Sequence, residues 1–196
     1  MQEKQLTFDP RHHQLTNSQV WTPDSQWLVF DVRPPEATFN SQTVERVNVN
    51  NGQNEVIYQA SQGACVGVIS CSPRLPERYV CIHGPENPDE FWHYDFHHRS
   101  GVIIENGRAT TLDACDLTPP YTPGALRGGT HVQMFDSEGE FLSFTYNDHV
   151  MHERSSAEDM RNVGVAIPLH PVVVSRQHPR EYNGSHFCVL VSQTTV

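Results

Sequence analysis

Short apolar runs broken by turn formers recur along the whole chain, and no window sustains the i, i+3, i+4 apolar stripe of a helix. The runs are WLVFDV (27–32), TVERVNV (43–49), NEVIYQA (54–60), VGVISC (66–71), RYVCIH (78–83), EFWHYDF (90–96), GVIIE (101–105), HVQMF (131–135), EFLSFTY (140–146), VGVAI (163–167) and FCVLVS (187–192). Fourteen prolines and 12 glycines punctuate them, so an all-β fold is the expectation. The order of elements also repeats. WTPDSQWLVFDVR (21–33), CSPRLPERYVCIHGP (71–85), MFDSEGEFLSFTYND (134–148) and REYNGSHFCVLVS (180–192) each run from a strand end through a polar turn into an apolar strand. The spacing is about 50 residues, stretched where PPYTPGALRGG (119–129) is inserted.

A period of that length in an all-β chain points to a β-propeller, whose four-stranded blades bury their faces only against neighbouring blades. The expected blades are 16–62, 63–112, 127–170 and a partial fourth at 178–196, three to four in an incomplete ring. Together they form a single domain or the N-terminal half of one. A β-sandwich, with similar turns, is the alternative. Within the first blade, Asn50-Asn51-Gly52 is a hairpin turn between two strands. The apolar run FCVLVSQTTV leaves a sheet edge open. Three things could cover it: further blades of a larger propeller, self-association with a second copy, or N-terminal KQLTFDP completing the last blade of a closed four-bladed ring.

Charge and cysteine usage narrow the setting. The formal net charge of −10 over 196 residues, with no basic cluster, repels a phosphate backbone and argues against nucleic acid as a partner. MQEKQLTFDPRHHQLTN lacks an apolar signal core, and no run approaches a membrane span, so a soluble cytoplasmic protein is expected. Five cysteines, odd in number and without C-x-x-C spacing, suit a reducing compartment as small buried residues rather than disulfides or thiolate zinc ligands. Nucleophile elbows, P-loops and dinucleotide fingerprints are all missing, which removes the corresponding hydrolase, NTPase and dehydrogenase readings.

At WTPDSQWLVFDVR the chain resembles the TolB-type propeller repeat W-[ST]-P-D-G, with Ser25 at the glycine position. More closely, LTNSQVWTPDSQWLVFDVRP, IHGPENPDEFWHYDFHHR, LRGGTHVQMF, SFTYNDHVMHE and QHPREYNGSH resemble the YidR-like family of uncharacterised bacterial TolB-like propellers, over nearly the whole chain. Members of that family are about twice this length, and the resemblance implies a fold without an established chemistry. Ile82-His83-Gly84-Pro85, Gly129-Thr130-His131-Val132 and Gln177-His178-Pro179 also resemble, in order and rough spacing, three segments of oligogalacturonate lyase propellers. That second resemblance implies His83 as a base and His131 and His178 as ligands of a divalent metal, manganese, zinc or iron. A glutamate between the histidine and glycine of the first segment is missing here, and the third segment keeps one ligand histidine.

Such a lyase removes a weakly acidic proton beside a sugar carboxylate, using a neutral imidazole while a metal stabilises the charge that develops. Arg127, ahead of Gly128-Gly129, has the fork to grip that carboxylate, and an exposed arginine in a turn explains it equally well. His83 precedes Gly84-Pro85 at a strand end, where loops build binding surfaces. Strand alternation over 91–97 puts Trp92, Tyr94 and Phe96 on a packing face and His93, Asp95 and His97 on an exposed or partly covered one, with a metal site among these three as the alternative. GPENPDE (84–90) reads as a solvated loop or a polar-ligand contact, His12-His13 as surface residues, and Asp148, His149, His152 and Glu153 as a polar loop without a helix to align them or, as the alternative, a cation site. The leading functional reading is a binding or scaffold propeller presenting loops to a protein or a polar small molecule; the alternative is a metal-dependent lyase acting on an acidic sugar.

Overall fold

A computed structural model describes residues 3–33, 39–157 and 159–192. The chain is all-β: 12 strands form three antiparallel four-stranded sheets, joined by one short helix among the described residues. The first sheet has the order β1 (His13–Gln14), β2 (Trp27–Val32), β3 (Thr43–Asn48), β4 (Asn54–Gln59). The second is β5 (Val66–Cys71), β6 (Arg78–His83), β7 (Ser100–Glu105), β8 (Arg108–Thr111). The third is β9 (Gly128–Phe135), β10 (Leu142–Asp148), β11 (Asn162–Ile167), β12 (Phe187–Leu190), with helix α1 (His149–Arg154) between β10 and β11. No helix among the described residues is long and apolar enough to cross a membrane.

Side-chain alternation explains the stacking. On β6 and β7, Tyr79, Cys81, Val102 and Ile104 pack with Val29 and Val44 of the first sheet, while Val80 and Ile103 pack with Phe135, Leu142 and Phe144 of the third. The middle of the second sheet is therefore covered on both faces, which is why β5, β6 and β7 are buried along nearly their whole length. A strand with one wet face alternates instead: in β4 Val56 and Gln59 are exposed while Ile57 and Tyr58 are partly buried.

The inner edges of the three sheets meet. Asn17 Nδ2 donates to Ser70 Oγ at 2.6 Å, and Ser70 Oγ donates to the Gln133 carbonyl at 2.9 Å. Gln19 bonds both ways with the Phe135 backbone, at 2.8 and 2.9 Å, and its carbonyl accepts from Cys71 N at 2.6 Å. The sheets thus fan out from a shared line at residues 17–19, β5 and β9. Local geometry along that line repeats: Val68 and Val132 both have φ near +55° (56° and 55°), and both inner-edge strand pairs shift register there. Ser25 at φ 56° and Gly139 at φ 75° occupy matching turns, so the serine adopts the left-handed conformation for which glycine is the usual choice.

Several expectations change. Phe187–Leu190, read as the opening of a fourth blade, pairs with β11 and is the outer strand of the third sheet. Residues 193–196 of that run lie outside the description. KQLTFDP does not complete the last sheet: Lys4 Nζ donates to the Val49 and Asn50 carbonyls, and Arg11 clasps Glu45, so this segment lies along the first. EFWHYDF is not a strand, and the segment around His149 contains a helix. All five cysteines are buried and unpaired, and burial pushes the Cys65 and Cys71 thiols up to about 11 and about 12.

Candidate functional site

Between β6 and β7 the chain leaves the sheet as a loop, because its own side chains outcompete a strand ladder for the backbone. Asp89 Oδ1 accepts from Phe91 N at 2.9 Å and Trp92 N at 2.7 Å, and Asp95 accepts from His97 N at 3.2 Å. At the end of β10, Asp148 caps α1 by accepting from Met151 N at 2.9 Å. Gly128 and Gly129 let these two segments close on β9. A Cβ at Gly129 would overlap the Phe96 carbonyl oxygen, and one at Gly128 the Asn147 carbonyl oxygen. What these glycines admit is neighbouring backbone.

A cleft of about 440 Å³ opens beside this layer, lined among others by Tyr58, His83, Trp92, His98 and Arg180. His83 is buried there, and its Nδ1 lies 2.7 Å from the Gly84 carbonyl. A carbonyl only accepts, so Nδ1 carries the hydrogen and Nε2 presents a lone pair, toward the Tyr58 hydroxyl at 3.3 Å. Burial lowers the His83 pKa, which keeps the ring neutral near pH 7 and its Nε2 able to take a proton.

Trp92 ties the cleft to a group of imidazoles. His98 stacks on Trp92 with centroids 3.8 Å apart, while His149 and His178 approach the indole at 4.8 and 5.9 Å. His98 Nδ1 donates to the His93 carbonyl at 3.1 Å, so its Nε2 must accept, and the donor 3.2 Å away is His149 Nδ1. Both rings are neutral in this arrangement, and burial lowers both pKa values, that of His98 to about 4. Behind them, His97 sits between two carboxylates: Nδ1 is 3.0 Å from Asp95 Oδ1 and Nε2 is 2.5 Å from Asp159 Oδ2. His152 Nδ1 lies 3.7 Å from the same Asp159 oxygen. Among the described residues, His97, His152 and Asp159 alone gather three ligating atoms within 4.8 Å of one another.

Among the described residues, His83, His131 and His178 form no three-ligand group. His83 lines the cleft, His178 lies against Trp92, and its Nδ1 accepts from Arg180 N at 3.2 Å. His131 stands on β9 with a buried, unpartnered Nδ1; burial, then the charges of Arg99, Arg161 and Arg33, lower its pKa to about 3. Three guanidinium groups make that position unfavourable for a metal cation, and His131 and His178 share no ligand group. Arg127 directs Nε and an Nη at Asp148 Oδ2, the former at 2.9 Å, and lies over the Tyr121 ring, so its fork is already engaged.

Comparison with known proteins bears on the whole arrangement. Residues 65–182 match the family described as "Protein of unknown function (DUF3748)". The chain belongs to this family. Over 192 residues it is 67% identical to the "Uncharacterized protein YidR" of Escherichia coli (strain K12), covering 98% of this chain and 46% of that protein. The chain thus spans about half the length of the curated relative it matches, and for this DUF3748 chain the chemistry has to be read from the residues themselves.

Sequence reasoning weighed His97 and His152 in separate stretches and passed over Asp159. A signal was present: Asp148 followed by an i, i+3 histidine pair, His149 and His152, is a capped helical turn. Nothing in the sequence announced that Gly129 would seat the Phe96-His97 backbone beside that turn.

Proposed function

We propose that this chain is a TolB-like β-propeller segment that binds a polar small molecule in the cleft beside Trp92. Three four-stranded sheets fanning from a shared inner edge support the propeller reading, and the outer faces of the first and third sheets are where further blades or a second copy would stack. Five buried, unpaired thiols support a cytoplasmic setting. The observation that carries the binding reading is the cleft of about 440 Å³, which joins an indole to the hydrogen-bonding groups of Tyr58 and His83.

The experiment is a thermal-shift and tryptophan-fluorescence screen against neutral sugars, uronides and small dicarboxylates. A binder should raise the melting temperature and quench the Trp92 signal, and His83→Ala should abolish both effects. A panel in which nothing shifts the protein, or a shift that His83→Ala leaves intact, counts against the cleft. One observation favours the lyase reading as second choice: His83 is neutral with its Nε2 lone pair at the cleft, the state a proton-abstracting base needs. Growth of the unsaturated-product absorbance with an oligouronide, lost in His83→Ala, would favour it over simple binding. The engaged fork of Arg127 supports binding over the lyase, whose carboxylate contact it was expected to make.

A further inference from the structure

We propose that His97 Nε2, His152 Nδ1 and one oxygen of Asp159 form a three-ligand site for a divalent metal ion of the zinc class. The site does not rest on the cleft reading, since it is defined by other side chains and is tested without any organic ligand.

In His97 and Asp159 the atom that would not touch the metal is already held. His97 Nδ1 faces Asp95 at 3.0 Å, so a carboxylate can fix the tautomer that turns the Nε2 lone pair inward, the arrangement that orients metal-bound imidazoles. Asp159 Oδ1 accepts from Asp148 N at 3.0 Å and from Asn147 Nδ2 at 3.3 Å, while Oδ2, at 3.4 Å from the same amide, faces both histidines. A tetrahedral ion with bonds of about 2.0–2.1 Å holds its ligand atoms about 3.3 Å apart. Distances of 2.5 Å from His97 and 3.7 Å from His152 to Asp159 Oδ2 straddle that spacing, and all three ligand atoms lie within 4.8 Å of one another. His97 is 4% exposed, and the Asp159 carboxylate is buried beside it.

Two imidazoles and one carboxylate suit zinc, cobalt, iron or manganese, while the lack of a thiolate disfavours copper(I). Three protein ligands leave a fourth position open for water or for a ligand group. Binding the ion displaces the proton that His97 Nε2 would otherwise share with Asp159, so loading releases protons. Without a metal the same trio is held by direct contacts, His97 Nε2 lying 2.5 Å from Asp159 Oδ2, and the test must separate the two.

The chelator-treated, dialysed chain is titrated with zinc chloride by calorimetry and with cobalt chloride by visible absorption. The expected result is one strong site, a cobalt spectrum of low coordination number, and proton release seen as a buffer-dependent heat. Asp159→Asn and His152→Ala should each weaken binding more than about a hundredfold, and Asp95→Asn about ten- to a hundredfold through the imidazole it orients. His170→Ala, at an exposed ring remote from the trio, should change nothing. Circular dichroism of each variant without metal confirms folding; should Asp159→Asn fail it, His152→Ala carries the decision from its half-exposed position. Absence of a strong site, or zinc affinity unchanged in a folded Asp159→Asn or His152→Ala, overturns the proposal. Nitrogen chemical shifts of His97 give a second reading: a metal-bound Nε2 in the zinc-loaded protein supports the site, and two protonated ring nitrogens in that sample refute it.

Discussion

Strand β5 buries all six of its residues, whereas helix α1, also six residues long, buries none. The strand belongs to a sheet that rests on a neighbour at both faces, so most of its residues are apolar and serve packing. The helix lies in a loop layer where Asp95, His97, His98, His149, His152 and Asp159 meet within hydrogen-bond or ring-contact range. Stability and chemistry therefore occupy different residues here. A change in the middle sheet should be felt everywhere, and a change in the loop layer chiefly at the site.

The hardest test of that contrast is a pair of truncations. Ile104→Ala, in the doubly covered sheet, should cost about 2–5 kcal/mol, whereas Val150→Ala, on helix α1 where no residue is buried, should cost under about 1 kcal/mol. Urea unfolding midpoints read both, and equal costs would end the comparison. Gly129→Ala should come next, at about 1–3 kcal/mol, because the new methyl displaces the Phe96 carbonyl. It should also abolish strong zinc binding, which Ile104→Ala should leave intact in whatever fraction remains folded.

The pH response sharpens the same boundary. His131 has its folded pKa depressed to about 3 from 6.5, chiefly by burial and then by Arg99, Arg161 and Arg33. The unfolded chain therefore takes up that proton first, so the contribution is intact above pH 6.5 and drains away as pH falls toward 3. His131→Gln should flatten part of the acid-side slope in melting temperature against pH; an unchanged slope would mean the ring is solvated. The smallest effect belongs to the exposed Arg74–Glu138 ion pair: Glu138→Ala should cost less than about 1 kcal/mol, and added salt should erase the difference.

Most strands were legible because their apolar runs end in turn formers: Val66–Cys71 and Arg78–His83 match their sequence runs residue for residue. Strand β8 went unread although Asn106-Gly107, at φ 51° and 73°, is a two-residue hairpin turn, because Arg108–Thr111 is exposed and carries no apolar pattern. Residues 90–96 misled in the opposite direction. Aromatic alternation looked like a strand, yet Asp89 and Asp95 capture the backbone locally. The site was legible only in pieces. His83 was found from its place at a strand end, whereas the union of His97 with His152 and Asp159 depends on 62-residue and 55-residue separations closed by tertiary packing.

The five thiols carry a practical consequence. Each sits inside the protein with its ionisation suppressed, so a labelling reagent finds almost no thiolate while the sheets stay together. Alkylation should therefore run as a clock for opening. Cys71 and Cys81 keep time for the second sheet and Cys188 for the third, and peptide mapping of the modified sites would show whether the two part company or come undone in one event.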